Sequence, residues 1–140
     1  IHRMIHMQTF TPIKTGNCPL ISLRSGATLT YEILCDEHHD IYIKLTGNSG
    51  GGYFSFDAIA LSHVQSLLNA LAPEIPFSST IFKRLFAGKS ANNASFLAAV
   101  LRAEGVIAKS HRHTYCHVID DIDAINAIGA KSHQPKKAKS

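Results

Sequence analysis

The hydrophobic pattern of this chain changes its period once, near residue 60, and that change constrains the fold more than any other feature. Before it, apolar residues alternate with polar ones in Leu29–Leu34, Ile41–Thr46 and Tyr53–Phe56. Gly, Asn and Asp clusters separate these runs, which predicts the strands of a small antiparallel sheet. A further short strand is expected at Leu20–Leu23, ahead of a turn.

After the change, apolar residues recur at helical spacing. They predict a helix over 62–72, a short helix over 79–87 and a longer helix over 92–104. Ser62 and Gln65 match a capping box, and Ser78 or Ser79 can cap the second helix. Phe96, Leu97, Val100 and Leu101 would form the buried face of the third helix. Ile122, Ile125 and Ile128 would be the buried side of a last helix that follows acidic residues.

These segments predict one α+β domain over residues 7–129, since 140 residues suffice for one core. A small N-terminal antiparallel sheet (7–60) would pack on a C-terminal helical part (61–129). The polar, basic residues 130–140 are expected to form a flexible tail. Met4 and Met7 are both possible starts, so residues 1–6 stay outside the expected fold.

The segment Phe77–Ile107 reads FSSTIFKRLFAGKSANNASFLAAVLRAEGVI. It places a short helix, a glycine-containing turn and a longer helix ending at Gly105 before a predicted hairpin over 106–119. This layout resembles the winged helix-turn-helix superfamily. The resemblance implies a winged-helix-like bundle whose third helix enters the major groove of DNA, while the hairpin contacts phosphate or the minor groove.

Charge is distributed unevenly along the chain. Residues 1–70 hold four Lys or Arg against five Asp or Glu, a net of −1, whereas residues 71–140 hold ten against five, a net of +5. The two sum to the chain's +4. A basic half favours a polyanionic partner, and we expect that partner to be DNA.

The candidate nucleic-acid-binding residues lie on the second and third helices and at the hairpin bend. Ala91, Ser95, Ala98, Ala99 and Arg102 would face outward from the third helix, with Arg102 as the strongest base reader. The full set is Lys83, Arg84, Lys89, Asn92, Asn93, Ser95, Arg102, Lys109, His111 and Arg112.

Three other segments contain residue types that carry chemistry. The run His111–His117 and the turn Cys35–Asp40 hold potential metal ligands. A bend falls inside the first run and the second is itself a turn, so neither pattern predicts that the side chains converge on a metal. We expect a polar hairpin tip with Cys116 buried, and no metal or cofactor. Gly47–Gly52 lacks the ending of a phosphate-binding P-loop and is expected to be a flexible loop. No nucleophile elbow or HExxH motif is present, so a non-enzymatic protein is predicted.

Three widely spaced cysteines, without a CxxC pair, predict small buried thiols in a reducing compartment. No apolar run approaches the ~20 residues of a membrane span. We therefore expect a cytoplasmic protein without a membrane partner. The alternative function is a protein-interaction or small-ligand module that acts as a homodimer, through the Ala98/Ala99 face or exposed front-sheet strands.

Overall fold

A computed structural model describes residues 8–21, 26–88, 90–113 and 115–133. The protein has an α+β fold, as the sequence predicts. Its elements are β1 (Phe10–Pro19), β2 (Thr28–Asp36), β3 (Ile41–Asn48), β4 (Ala58–Ala60), α1 (Leu61–Asn69), β5 (Phe77–Ser78), a 3-10 helix (Ser79–Leu85), α2 (Asn92–Ala103), β6 (Ile107–Lys109), β7 (Cys116–Ile119) and α3 (Ala124–His133).

The first four strands form an antiparallel sheet in the order β1-β2-β3-β4. The alternation that predicts β2 and β3 is confirmed, because Leu29 and Ile33 of β2 and Ile43 of β3 are buried. Two strand predictions are wrong. Of the strand expected at Leu20–Leu23, Leu20 and Ile21 follow β1 without forming a strand, and Ser22 and Leu23 lie outside the described residues. Tyr53–Phe56 makes no strand ladder, since β4 begins at Ala58.

β1 lies at the edge of this sheet, and polar contacts hold it in place. Glu104, just after α2, is nearly buried and receives a hydrogen bond from the hydroxyl of Tyr31 (2.5 Å). Its carboxylate also pairs with Nζ of Lys14 at 2.9 Å. Gly16 lets the Tyr31 ring cross β1, because a Cβ at that position would overlap Cζ of the ring.

The ends of the early helices differ in how they are capped. α1 begins after Ala60, which makes no side-chain cap, so the capping box expected at Ser62 and Gln65 is wrong. Ser78 caps the next element as expected, because its hydroxyl accepts the backbone N–H of Thr80. That element is a 3-10 helix, a tighter form used in short pieces.

α2 is the central helix of the protein, and most of its twelve residues are buried. The prediction that Ala98 and Ala99 face outward is wrong, since both are buried. Leu20 and Ile21, which follow β1, lie beside Ala99 and Arg102 along this side of the helix. The Ala98/Ala99 face therefore cannot form a dimer interface or enter a DNA groove.

The last three strands form a small antiparallel sheet in the order β5-β7-β6, and β6 and β7 make the predicted hairpin. α3 buries Ile125 and Ile128, as expected. It continues to His133, past the predicted start of the tail at residue 130, and residues 134–140 lie outside the described part.

One continuous hydrophobic core joins both halves of the chain, for example through Ile33 of β2, Leu97 of α2 and Ile128 of α3. Within the described ranges, every helix is too short or too polar to cross a membrane. Among those residues the three cysteines are free thiols, with Cys18 buried and Cys35 and Cys116 half-buried.

Candidate nucleic-acid interface

The described residues at the turn between β6 and β7, 109–113 and 115–116, are called the wing below. One buried hydroxyl holds part of its backbone. Ser110 is 3% exposed, and its Oγ accepts the backbone N–H groups of Arg112 (3.1 Å) and His113 (3.4 Å). The N–H of Ser110 donates to the carbonyl of Cys116 at 2.9 Å. These bonds close a compact turn with the Ser110 hydroxyl at its centre.

The side chains at the tip of the wing are exposed. They are His111, Arg112, His113 and Tyr115, and Lys109 is exposed at the start of the turn. Tyr115 keeps 60% of its surface accessible. The tip therefore presents a guanidinium, an ammonium, two imidazoles and a phenol ring on a hydrogen-bonded turn.

The base of the wing, meaning His117 of β7 and Arg102 of α2 beside it, is built from the same residue types, but they point inward. His117 of β7 is 0% exposed and lies against the ring of Phe77. Its Nε2 is 2.8 Å from Oγ of Ser79, and its Nδ1 accepts Nε–H of Arg102 at 3.1 Å. Arg102 also donates to the carbonyl of Cys116 at 3.2 Å. The prediction that Cys116 is the buried residue of the hairpin is therefore wrong, because His117 takes that position.

The Ser79–His117 pair has the atoms of a hydrolase dyad but the opposite proton direction. A guanidinium can only donate, so Nδ1 of His117 carries no proton and Nε2 carries it. Nε2–H then donates to Ser79, whereas a catalytic histidine must accept the serine proton at that atom. Burial, with the charge of Arg102 as a smaller cause, lowers the pKa of His117 to about 4. The pair holds β7 to the 3-10 helix and does not activate a nucleophile.

Two of the sequence-predicted site residues are used inside the protein. Asn93 is buried, and its side chain bonds the backbone N–H and hydroxyl of Ser55, at 2.8 and 2.9 Å. Arg102 is committed to the base of the wing, and its desolvation lowers its pKa. The expectation that these two side chains face a nucleic acid is wrong, because their donors already serve the fold.

The other predicted residues fall into three places. Lys109, His111 and Arg112 lie together on the wing. Lys83 and Arg84 are exposed on the 3-10 helix, beside the end of α1. Asn92 and Ser95 are half-buried at the start of α2, and Lys89 lies outside the described residues.

A groove of about 400 Å³ runs from the start of α2 to the wing. Its lining residues are Leu20, Ile21, Asn48, Gly50, Gly52, Asn92, Ser95, Phe96 and Tyr115. The sequence prediction missed Asn48 and Tyr115. An exposed aromatic beside a predicted bend was the available signal for Tyr115, whereas Asn48 gave none beyond its glycine-rich neighbours.

The glycine-rich wall of this groove, expected to be flexible, is tied to α2. Asn48 accepts the N–H of Gly50 at 2.9 Å and donates to the carbonyl of Gly52 at 3.3 Å. Asn92 donates to the carbonyl of Tyr53 at 2.9 Å. A Cβ on Gly52 would lie 2.6 Å from Nδ2 of Asn92, so glycine permits this close approach.

Among the described residues, no group of three His, Cys, Asp or Glu side chains lies close enough to hold a metal ion. Comparison of the chain with protein-family models, with curated proteins and with solved structures finds no match. The case for a function therefore depends on the geometry of the wing and the groove.

Proposed function

We propose that this protein is a small, non-enzymatic binding protein that associates with nucleic acid through the wing. The observation that carries the proposal is the turn held by Ser110, which presents His111, Arg112 and His113 outward. A preformed turn loses little conformational entropy on binding. The planar guanidinium matches the oxygens of a phosphate, and imidazoles add hydrogen bonds or stacking.

Two further observations support a polyanionic partner. The half of the chain that contains the wing carries the net charge of +5, and Lys83 and Arg84 are two further exposed cations, on the 3-10 helix. The element order from α1 to β7 also follows the layout that resembles the winged helix-turn-helix superfamily. This layout is compatible with phosphate contacts made by the hairpin.

The proposed contact is mainly with phosphates, without reading of sequence by α2. Most of α2 is buried, and Arg102, its strongest base reader, is bonded to His117. Phosphate contacts position a protein on nucleic acid without specifying sequence. Affinities of roughly 10⁻⁴–10⁻⁶ M at physiological salt are expected for such binding.

Fluorescence anisotropy with labelled duplex and single-stranded oligonucleotides, over a series of salt concentrations, tests this proposal. Arg112→Ala and Lys109→Ala should each weaken binding and reduce the salt slope by about 0.7–0.9 for each phosphate that the variant no longer neutralises. Lys44→Ala is the matched control, since Lys44 lies on the face of β3 opposite its buried neighbours Ile43 and Leu45. Absence of binding to either form at low salt would refute the proposal.

A homodimer is the second candidate, favoured by exposed apolar side chains. Tyr53 is 88% exposed and Phe56 63% exposed on one segment, and Ile75 is 60% exposed. Large exposed apolar patches mark interaction sites in soluble proteins, and Tyr53 and Phe56 lie three residues apart on one segment. Light scattering after size exclusion should then report a dimer that Phe56→Ser dissociates, and a strictly monomeric wild type would remove this candidate.

A further inference from the structure

We infer that the groove between the start of α2 and the wing receives an unpaired nucleobase, so that the preferred ligand is a single-stranded nucleic acid. This inference rests on the proposed nucleic-acid function of the wing. It adds a second contact of different chemistry, in which a base enters the groove while the backbone phosphates lie on the wing.

The volume and the apolar lining residues of the groove suit a largely apolar ring. Its volume of about 400 Å³ lies within the roughly 300–1,000 Å³ typical of small-ligand sites. Leu20, Ile21 and the nearly buried ring of Phe96 provide apolar surface. Tyr115 lines the groove and is 60% exposed, so it is accessible as an aromatic stacking partner.

Polar groups on the α2 side and on the glycine-rich wall match the edge of a base. Within the described residues, Asn92 uses Nδ2 on the carbonyl of Tyr53, and its Oδ1 takes no hydrogen bond. Nδ2 of Asn48 donates one of its two hydrogens to the carbonyl of Gly52. An acceptor and a donor therefore remain on two side-chain amides that both lie next to Gly52, and together they could bond the edge of an unstacked base.

The position of the groove relative to the wing favours a single strand over a duplex. Tyr115 belongs to the wing and also lines the groove, three residues after Arg112. A strand whose phosphates contact Arg112 would thus bring its next bases to Tyr115. In a duplex those bases are paired and stacked, so each must be unstacked before it can enter.

Anisotropy titrations with labelled oligothymidylate, and with its duplex with oligoadenylate, test the inference on the full chain. Wild type should bind the single strand more tightly. Tyr115→Ala should weaken single-strand binding about 5- to 150-fold, the range expected for removal of one base stack, and leave duplex binding and the salt slope unchanged. Tyr115→Phe should retain affinity. Tyr53→Ala is the matched control, because the exposed ring of Tyr53 does not line the groove.

The outcomes separate this inference from the proposal beneath it. If Tyr115→Ala binds the single strand like wild type while Arg112→Ala weakens it, the groove inference fails and the wing proposal stands. Equal affinity of wild type for duplex and single strand also overturns the groove inference. If wild type binds neither form at low salt, both fail. The thermal unfolding temperature of each variant serves as a control, and a value equal to that of the wild type shows that the substitution leaves the fold intact.

Discussion

The base and the tip of the wing carry the same residue types in opposite environments. At the base, Arg102 and His117 are directed inward and bond each other and the backbone. At the tip, Arg112, His111 and His113 are exposed. The positive charge of this half of the chain therefore comes partly from Arg102, which is bonded inside the protein, and partly from exposed side chains such as Arg112. Only the exposed side chains are available to a partner.

This difference shows that burial, more than residue type, decides the role of a cation here. Arg102 is half-buried, and a guanidinium partly withdrawn from water needs acceptors for its donors, two of which are Nδ1 of His117 and the carbonyl of Cys116. An exposed guanidinium keeps its donors for solvent or a ligand. Arg102 and Arg112 thus form a natural pair for separating stability from binding.

The largest expected effect separates these two arginines. Arg102→Ala leaves Nδ1 of His117 without a donor and removes one of the donors to the Cys116 carbonyl, and we expect it to lower the free energy of unfolding by about 2 kcal/mol. Arg112→Ala should change it by less than about 0.5 kcal/mol, as exposed substitutions do. Urea denaturation measures both values. Equal losses of stability in the two variants would contradict the conclusion that Arg102 supports the fold and Arg112 does not.

The next effect is a pH dependence of the stability, and it comes from His117 at the base of the wing. The pKa of His117 is about 4 in the folded protein against an ordinary 6.5, so the unfolded chain binds more protons between these values. The stabilising contribution of neutral His117 is therefore complete above pH 6.5 and is lost as pH falls toward 4. Unfolding measured across this window should take up about one proton.

Two variants check the assignment of that proton. His117→Gln cannot titrate and should flatten the pH dependence, whereas His63→Gln, at an exposed position on α1, should preserve it. An unchanged slope in His117→Gln would assign the proton to another group.

A smaller effect is expected where the base meets the tip, at Ser110. Ser110→Ala removes the acceptor for two backbone N–H groups and should cost about 1 kcal/mol of stability. Hydrogen exchange at the amides of Arg112 and His113 should become faster. Ser62→Ala is the control, since Ser62 is exposed and makes no cap on α1. Unchanged exchange at both amides would mean that the tip does not depend on Ser110.

Sequence reasoning succeeded where a segment buries one regular face. β2, β3 and the apolar stripe of α2 have this property, and their bounds were predicted to within a few residues. It failed at Tyr53–Phe56, whose residues favour a strand. There the backbone of Tyr53 and Ser55 bonds side chains at the start of α2 instead of another strand, so tertiary contacts override the local preference.

The candidate site was predicted only in part, for two physical reasons. Ala98 and Ala99 are small enough to suit either an exposed or a covered face, and their position depends on distant residues after β1. His117 could not be placed by alternation, because a turn of uncertain position precedes it. Lys109, His111 and Arg112 were placed correctly on an exposed bend, and their role in binding stays a prediction.

The ion pair of Glu104 determines how β1 is aligned with its neighbour. Cys18 is the one fully buried residue of the ten in β1, so apolar burial specifies the register of this strand only weakly. Lys14 and Tyr31 must both reach Glu104, and Gly16 must lie opposite Tyr31 to admit its ring. A register shift of one residue would leave the buried carboxylate of Glu104 without its partners. It would also place a side chain against the ring of Tyr31. The register of this edge strand is thus favoured by the polar contacts of Glu104 and by the missing Cβ of Gly16.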